Sequence, residues 1–566
     1  MGAAFLLVVI GACARNHFAA RPDVTPRLSP DSVAAAAQEL SPEEELDHAI
    51  SRTSFGMRPG DRARVSGEGI PAFLEEQLHP EAIDDAALEQ RIAGLHVLSE
   101  STAERIRELA QFREEKKKEK EAQAKQDQLT EASGPAPMAD ATPAALDLPA
   151  HKQDKKTLGK IGRGPGFDFT LALAEAKLLR AVYSKRQLNE VMTDFWFNHF
   201  NVFAGKDHEP ALLPAYENDV IRAHALGSFR ELLFATAHSP AMLIYLDNWR
   251  STAADAPKKG KGAQAKNGRG LNENYARELL ELHTLGVDGG YTQADVTEVA
   301  RCFTGWSVAD PNLDPTYVFH PRAHDNGEKH VLGQVIAAGG GERDGEQVLE
   351  LILRNPSTAH FLASKLVRRF VSDDPPPALV DRVAAVYLAT LPAGGDIRSM
   401  LRAIFSSPEF WSRRALKSKM RSPLELIAAS ARALDANIGD PIPLAKQLGR
   451  IGEPLYAFAP PTGYGDTAQT WTASGALLAR IDFGLALAAG QIDGIAINVA
   501  PLTQGAHAPD EVLARAAKQL GVDALSETTR GYVLSQLKDL SLEKKPQLVA
   551  ERAVGLLLGA PELQRR

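Results

Sequence analysis

Residues 272–286, NENYARELLELHTLG, have the spacing of an amphipathic helix with one residue out of place. On a helical wheel of about 100° per residue, the polar side chains share one arc: Glu273, Asn274, Arg277, Glu278 and Glu281. The opposite arc is apolar and holds Tyr275, Ala276, Leu279, Leu280 and Leu282. His283 falls within this apolar arc. The spacing therefore predicts a helix that directs an imidazole into the protein core.

A second segment repeats this arrangement. Residues 187–203, QLNEVMTDFWFNHFNVF, also give a helix with a continuous apolar arc, and His199 lies in the middle of it. A single buried histidine is more often a hydrogen-bonded core residue than a ligand. Two such histidines, one beside Asn198 and Asn201 and the other near Glu278 and Glu281, leave two interpretations open. They belong either to a functional site or to a buried polar network.

The third polar segment is a loop, residues 318–333, VFHPRAHDNGEKHVLG. Its imidazoles and carboxylates are ligand types that zinc and other transition metals accept. We therefore predict a divalent metal site, zinc for example, with His199, His283, His324 and Asp325 as ligands. Glu278 or Glu281 would be the general base or would orient the ligands. The alternative is a polar surface loop in which Asp325 caps a turn.

Several classes of function lose support from the sequence. No GxSxG elbow, P-loop or GxGxxG dinucleotide motif occurs in its required context. The 64 basic and 72 acidic residues give a formal net charge of −8, without the basic footprint of a nucleic-acid-binding protein. Nucleic acid is therefore not expected as a partner.

The periodicity along the chain predicts a mainly α, multi-helix globular domain. Strand-like alternation is sparse, and its nearest candidates lie around residues 316–336. Two low-complexity insertions, about 127–165 and 251–270, are predicted to be disordered because they lack periodic apolar residues. The predicted organisation is a signal segment at 1–13, a flexible tether at 14–40, the helical domain at 41–490, and a C-terminal helical extension at 491–566 that packs on it.

The N-terminus predicts export. The apolar run 3–12 is too short to span a bilayer but suits a secretion signal, although no Lys or Arg precedes it. It ends in Ile10-Gly11-Ala12-Cys13, which resembles a lipobox with Cys13 as the lipidated residue. We expect a periplasmic or outer-membrane-anchored lipoprotein that contacts the membrane only through this anchor. A buried N-terminal strand or helix is the alternative.

Nine segments in order resemble one bacterial family, the DUF1800 proteins, across about residues 44–490. They are LDHAISRTSFGMRPGD, FWFNHFNV, MLIYLDN, NENYARELLELHTLGVDGGYTQADVTEVARCFTGW, HDNGEKHVLG, HFLASKLVRRFV, SPEFW, KMRSPLEL and PPTGYGDTAQTW…LLAR. The resemblance implies a largely helical protein of the bacterial envelope. It also implies a gene neighbourhood shared with a second family that resembles sulfatases and alkaline phosphatases. It implies no activity for any residue.

These features support two functional hypotheses. The first is an envelope-associated, metal-dependent hydrolase that acts on an envelope polymer or polysaccharide. The aromatic segment 455–471, LYAFAPPTGYGDTAQTW, would line a groove for an extended or sugar-like ligand, unless it serves only structural packing. The alternative is a non-catalytic envelope scaffold or export partner of a sulfatase-like protein. The shared-metal hypothesis requires the three imidazoles to lie together, because metal–ligand bonds are only about 2 Å long.

Overall fold

The computed structural model describes residues 39–131, 164–254, 270–522 and 524–566. The predicted signal segment with Cys13, nearly all of the tether, and most of the two insertions lie outside these described residues.

The architecture is mainly α, as the periodicity predicts. The α-helices of the first half of the described chain are α1 Pro42–Thr53, α2 Asp61–Glu68, α3 Ile70–Leu78, α4 Ala86–Ala93, α5 His96–Ser99, α6 Thr102–Glu131, α7 Pro165–Tyr183, α8 Gln187–His199, α9 Glu209–Ala215, α10 Phe229–His238, α11 Pro240–Tyr245, α12 Asn274–Glu278 and α13 Gln293–Cys302. Those of the second half are α14 Arg343–Leu353, α15 Pro356–Phe370, α16 Pro377–Ala389, α17 Ile397–Phe405, α18 Pro423–Ala433, α19 Ile442–Ile451, α20 Ala468–Trp471, α21 Ser474–Ala488, α22 Pro509–Gln519, α23 Glu527–Leu537, α24 Pro546–Leu558 and α25 Pro561–Gln564.

Shorter helical elements connect them. Two π-helices span Tyr216–Arg222 and Leu279–Thr284. The 3₁₀ turns are Pro80–Ala82, Asn248–Arg250, Pro321–Ala323, Leu391–Ala393 and Ala500–Leu502. No helix in the described ranges is long and apolar enough to cross a membrane.

The strands form three small antiparallel ladders. They are β1 Trp306–Ala309 with β2 Thr316–Phe319, β3 Lys329–Val331 with β4 Gln334–Ile336, and β5 Asn437–Ile438 with β6 Ile495–Ala496. Trp306 pairs with Phe319 in the first ladder, and Lys329 pairs with Ile336 in the second. The strand-like alternation around residues 316–336 is thus confirmed.

Local sequence explains where several helices begin. Ser41, Thr292 and Ser422 each accept a hydrogen bond from the backbone N–H three residues later. The acidic side chain at that third position returns a bond to the cap residue, which completes a capping box. Each cap contributes about 1 kcal/mol to the stability of its helix. Glu425 is the acidic partner of Ser422, and its placement matters for the site described below.

The segment 272–286 folds into two kinds of helix. Helix α12 continues into the π-helix Leu279–Thr284, in which the N–H of Leu285 donates to the carbonyl oxygen of Leu280, five residues back, at 2.9 Å. The polar and apolar faces predicted from the helical wheel are retained in spite of the π-helical turn. Tyr275 and His283 are buried, whereas Glu278 and Glu281 are half-buried. Such π-helical turns are frequent at functional sites.

One hydrophobic core runs through the described chain, from Ile50 to Leu563. A small satellite core beneath α6 consists of Ile106, Leu109, Phe169 and Ala211. The C-terminal residues belong to the main core, because α24 packs closely along α21. Residues 418–421 pair with the last residues of the chain through a bridge between Met420 and Arg565.

Candidate functional site

His199 and His283 do meet in the core, as the two helical wheels predict. Their ring centroids are 6.1 Å apart, and Nε2 of His199 lies 2.9 Å from the carbonyl oxygen of His283. The surrounding side chains are aromatic, with Phe200 in contact with both rings. Burial lowers the pKa of His283 to about 3, and burial with the nearby charge of Lys365 lowers the pKa of His199. Both imidazoles are therefore neutral at physiological pH.

His324 belongs to a different cluster. Its Nδ1 lies 2.7 Å from the carbonyl oxygen of Thr304, and its Nε2 lies 3.1 Å from the carboxylate of Asp344. The ammonium group of Lys329 donates to the same carboxylate at 2.5 Å. The side chains of His324, Lys329 and Asp344 are fully buried. This trio ties the β2–β3 region to helix α14.

Asp325 caps a turn, which was the alternative interpretation of the loop. Its carboxylate accepts two hydrogen bonds from Arg301, at 2.8 and 3.1 Å, and one from the N–H of Gly327 at 2.9 Å. The bonds from Arg301 lower the pKa of Asp325. Its oxygens are therefore committed to arginine and backbone rather than to a shared site with His199.

The predicted four-ligand metal site is not assembled. Within residues 39–131, 164–254, 270–522 and 524–566, no three His, Cys, Asp or Glu side chains are grouped so that they could hold a metal ion. The residues present do not fit the zinc site that the sequence suggested, because helix packing joins His199 to His283 while the loop carries His324 to Asp344. Glu278 is half-buried, and burial with the charge of Glu281 raises its pKa, but neither glutamate is among the residues that line the cleft described next.

A cleft lies on the other side of helix α8. The space within it is about 80 Å³, and about 820 Å³ when the open solvent at its mouth is included. Its lining combines charged side chains with aromatic ones, and it is formed by Lys177, Asp194, Phe195, Phe197, Asn198, Asn201, Arg369, Lys419, Met420, Ser422, Glu425, Glu453, Leu455, Tyr456, Phe458, Tyr464, Gly465, Asp466, Trp471 and Arg566. Ligand sites are concavities in which apolar and aromatic side chains surround a few polar groups, and this cleft contains aromatic side chains together with a larger share of charged ones.

One side of the cleft is an aromatic wall, which we define as Tyr456, Phe458, Tyr464 and Trp471. Two asparagines hold it in place, Asn198 on helix α8 and Asn201 just after the helix ends. Asn198 donates to the carbonyl oxygen of Tyr464 at 2.9 Å and accepts from its N–H at 2.7 Å. Asn201 donates to the carbonyl oxygens of Phe458 and Pro460, at 3.0 and 2.8 Å. The aromatic segment is therefore fixed to the core and presents its rings to the cleft.

This attachment requires a glycine at position 463. Gly463 has a φ of +64°, and a Cβ atom there would lie 2.2 Å from the backbone oxygen of Asn198. We expect Gly463→Ala to lower the free energy of unfolding by about 2–4 kcal/mol, through left-handed strain and overpacking together. Chemical denaturation measures this loss in the free energy of unfolding. Gly505→Ala is the matched control, because Gly505 has a φ of +66° with open space around it, and we expect about 1 kcal/mol there. Equal losses in the two variants would contradict the role of the contact.

Two carboxyl groups of the cleft have contrasting environments. Burial and the nearby charge of Asp194 raise the pKa of Glu453 to about 8. The Oε2 atom of Glu453 accepts a hydrogen bond from the N–H of Leu424 at 2.8 Å. Asp194 instead forms an ion pair with Lys177 at 3.1 Å. Near neutral pH Glu453 is therefore protonated, whereas Asp194 is paired with a cation. Many enzymes place two carboxyl groups in such contrasting environments so that one acts as the acid and the other as the base.

The cleft also contains a basic wall, which we define as Arg369, Lys419 and Arg566. Arg369 and Arg566 both pair with Glu425, with 2.9 Å between Nη2 of Arg566 and Oε1 of Glu425. Burial alone would raise the pKa of Glu425, but the two arginines lower it well below its usual value. Burial lowers the pKa of Lys419 to about 8 despite its ion pair with Asp373.

The family assignment comes from a comparison with known families. Residues 48–565 match the family described as "Protein of unknown function (DUF1800)". The chain belongs to the DUF1800 family. The match extends past residue 490 and includes the C-terminal helices, so Arg566 adjoins a region that belongs to the DUF1800 unit. No curated protein and no solved structure matches the chain.

The charged residues of the cleft were not predicted from the sequence as site residues. Glu453, Lys419 and Glu425 have no distinctive spacing, and they approach each other only through tertiary packing. A signal was present, however, in the segments that carry the DUF1800 resemblance. FWFNHFNV, HFLASKLVRRFV, KMRSPLEL and PPTGYGDTAQTW all contribute side chains to this one cleft.

Proposed function

We propose that this DUF1800 protein is an envelope-associated hydrolase that cleaves a glycan in the cleft by acid–base catalysis. The observation that carries the proposal is a pair of carboxyl groups in one cleft: Glu453, whose pKa is raised to about 8 by burial and the nearby charge of Asp194, and Asp194 itself, which forms an ion pair with Lys177. Glycoside hydrolysis generally requires one carboxylic acid and one carboxylate. The proposed location rests on the N-terminal sequence, with its apolar run and lipobox-like ending.

Each residue has a distinct part in the proposed reaction. Glu453 donates its proton to the glycosidic oxygen, which leaves with the bonding electron pair as a hydroxyl. A water molecule then bonds to the anomeric carbon through its oxygen and returns a proton to the carboxylate of Glu453, which restores the acid. Asp194 is the negatively charged partner that stabilises the positive charge of the sugar ring in the transition state. Lys177 is fully buried, and its ion pairs with Asp194 and Glu217, at 3.1 and 3.3 Å, hold Asp194 in position.

The aromatic wall supports a sugar as the ligand. Tyr464 lies between Phe458 and Trp471 in tilted contacts, with ring centroids 4.5 and 5.7 Å from its own. Flat aromatic faces provide apolar contact to a ring whose edge is polar. The protein would thus bind the glycan against these rings and bring its glycosidic oxygen toward Glu453.

The test is the release of reducing ends from a panel of soluble bacterial envelope polysaccharides. We expect Glu453→Gln to lower the rate at least about 100-fold, because general acid catalysis contributes that much or more. Glutamine keeps an oxygen that can accept from Leu424, so the fold is preserved. The matched control is Glu209→Gln, since Glu209 is fully buried but does not line the cleft. A Glu453→Gln variant as active as the wild type would rule out the proposed acid.

A non-catalytic envelope scaffold or export partner of a sulfatase-like protein is the second candidate. Helix α21 supports it with an exposed apolar face, on which Leu477, Leu478 and Ile481 are 38%, 60% and 39% accessible. Exposed apolar patches frequently mark binding surfaces for other proteins. If this candidate is right, Leu478→Asp weakens association with the sulfatase-like protein, whereas Glu453→Gln leaves it unchanged. Co-purification of tagged variants distinguishes the two candidates.

A further inference from the structure

Five arginines converge at and behind the basic wall: Arg52, Arg369, Arg421, Arg480 and Arg566. Arg52, Arg421, Arg480 and Arg566 are only 0%, 8%, 1% and 3% accessible. Across the described ranges, Glu425 is the one carboxylate that forms an ion pair with any of the five, and it pairs with Arg369 and Arg566. The cluster therefore contains more positive charge than its carboxylate balances.

The other three arginines bind neutral oxygens. Arg52 donates to the hydroxyl of Ser418 at 2.9 Å and to the carbonyl oxygen of Val371 at 3.3 Å. Arg480 donates to the amide oxygen of Gln564 at 2.8 Å and to a backbone carbonyl at 2.9 Å. These bonds satisfy donors but do not neutralise charge. Arginine keeps its proton in proteins, so the excess charge cannot be removed by deprotonation.

The arginines also act on each other. Burial and the nearby charge of Arg369 together lower the pKa of Arg566 to about 9. Burial lowers the pKa of Arg421 to about 10. An unbalanced charge in a poorly hydrated site is unfavourable, and a bound anion relieves it. The protein thus has an electrostatic reason to bind an anion at the basic wall.

Several buried N–H groups at the same place have no acceptor among the described residues. Lys419 has three N–H groups, and two of them bind Asp373 and the carbonyl oxygen of Asp466. Arg369 uses Nη1 for Glu425, while its Nε has no acceptor among the described residues. In Arg566, Nε and Nη1 also lack acceptors there. Lys419, Arg369 and Arg566 all line the cleft.

We infer that the basic wall binds an oxyanion attached to the glycan, a carboxylate, a sulfate or a phosphate, while the aromatic wall binds the adjoining sugar ring. Glu425 fixes Arg369 and Arg566 in place, and the remaining donors and the uncompensated charge attract the anion. This inference rests on the proposed function for the nature of the sugar and adds the charge of the substrate.

The first experiment compares charged and neutral probes on the wild-type full chain by calorimetry. The probes are tri-galacturonic acid against maltotriose, and glucose 6-phosphate and glucose 6-sulfate against glucose. At least one charged probe should bind tenfold or more tightly than its neutral counterpart, which is the gain of one charge-assisted hydrogen bond. Added salt should weaken the charged probe alone, because screening acts on the ionic contact. Inorganic phosphate and sulfate tested alone distinguish a free anion from one carried by a sugar.

Variants then place the binding site. Lys419→Gln should lower the affinity for the charged probe about tenfold and leave the neutral probe unchanged. The matched control is Lys365→Gln, which removes the same charge from a residue that pairs with Asp466 but does not line the cleft. The control should keep its affinity. The wild-type comparison with neutral sugars needs no variant, so the inference stays testable if Lys419→Gln fails to fold.

Three outcomes would overturn the inference: charged and neutral probes binding alike, equal losses in the two lysine variants, or free phosphate or sulfate binding as tightly as the sugar ester. Glu453→Gln must retain the charged probe. Anion binding without any polysaccharide turnover would leave the anion site standing and reject the proposed hydrolase. Turnover of neutral polysaccharides without preference for charged ones would support the proposed hydrolase and reject the anion site.

Discussion

Glu425→Gln is expected to lower the free energy of unfolding by about 3–5 kcal/mol, the loss typical when one partner is removed from a buried ion pair. Glu425 is 3% accessible and is the carboxylate that Arg369 and Arg566 share. Without its charge the two guanidinium groups stay buried beside other arginines. Glutamine retains an oxygen for the N–H of Ser422, at 2.9 Å in the wild type, so the variant isolates the charge from the helix cap.

The effect has a defined pH range. The pKa of Glu425 is lowered in the folded protein, so its contribution to stability is present above the ordinary pKa of about 4.5 and is lost as the pH falls below it. Denaturant titrations at neutral and acidic pH measure this. The matched control is Glu75→Gln, whose partner Arg402 is a surface residue, and we expect about 1 kcal/mol or less there. Similar losses in the two variants would contradict the description of a buried, charge-rich cluster.

The pH dependence of stability should differ between the wild type and Glu453→Gln. The folded pKa of Glu453 is about 8, above the ordinary value of 4.5. Between these two pH values the unfolded chain releases the proton while the folded protein keeps it. The wild type therefore loses stability as the pH rises through this window. At about 1.4 kcal/mol per pKa unit, the total reaches roughly 3–5 kcal/mol relative to the glutamine variant, which does not titrate.

Denaturation curves at closely spaced pH values test this expectation. Below pH 4.5 the difference in the free energy of unfolding between the wild type and Glu453→Gln should not change with pH. Above pH 8 this difference should again be constant, at a value more favourable to the variant. Glu75→Gln again serves as the control, because a hydrogen bond from Arg402 lowers the pKa of Glu75 and gives a small change of opposite sign. A flat difference across the window would mean that Glu453 is ionised in the folded protein and would remove the basis for its role as the acid.

Much of the secondary structure was predictable from local sequence. The alternation around residues 316–336 depends on near neighbours in the chain and is confirmed. The capping boxes of Ser41, Thr292 and Ser422 are equally local, because each joins residues only three positions apart. The inward direction of His199 and His283 was also predictable, because burial follows the periodicity of each helix. The π-helix Leu279–Thr284 was not predictable, because a helical wheel assumes the same rotation at every residue.

The prediction of a shared site failed for a tertiary reason. A wheel shows which way His283 points, but it does not show which other element it meets. The loop carries His324 toward Asp344 and Lys329 instead of toward the histidine pair. The pKa of Glu453 likewise depends on burial and on Asp194, which is remote in sequence, so no local pattern reports it. The segments that carry the DUF1800 resemblance do contribute residues to the cleft, but the resemblance implies no chemical role for those residues.

The two sides of the cleft are attached to the fold in different ways. The aromatic wall is bound to Asn198 and Asn201 by hydrogen bonds to its backbone. The basic side depends on a pairing between residues 418–421 and 564–566, in which Lys419 and Arg566 share two backbone bonds, at 3.2 and 2.9 Å, and form side-chain ion pairs with Asp373 and Glu425. A shift of residues 564–566 would therefore alter the charge of the cleft and leave the aromatic rings in place.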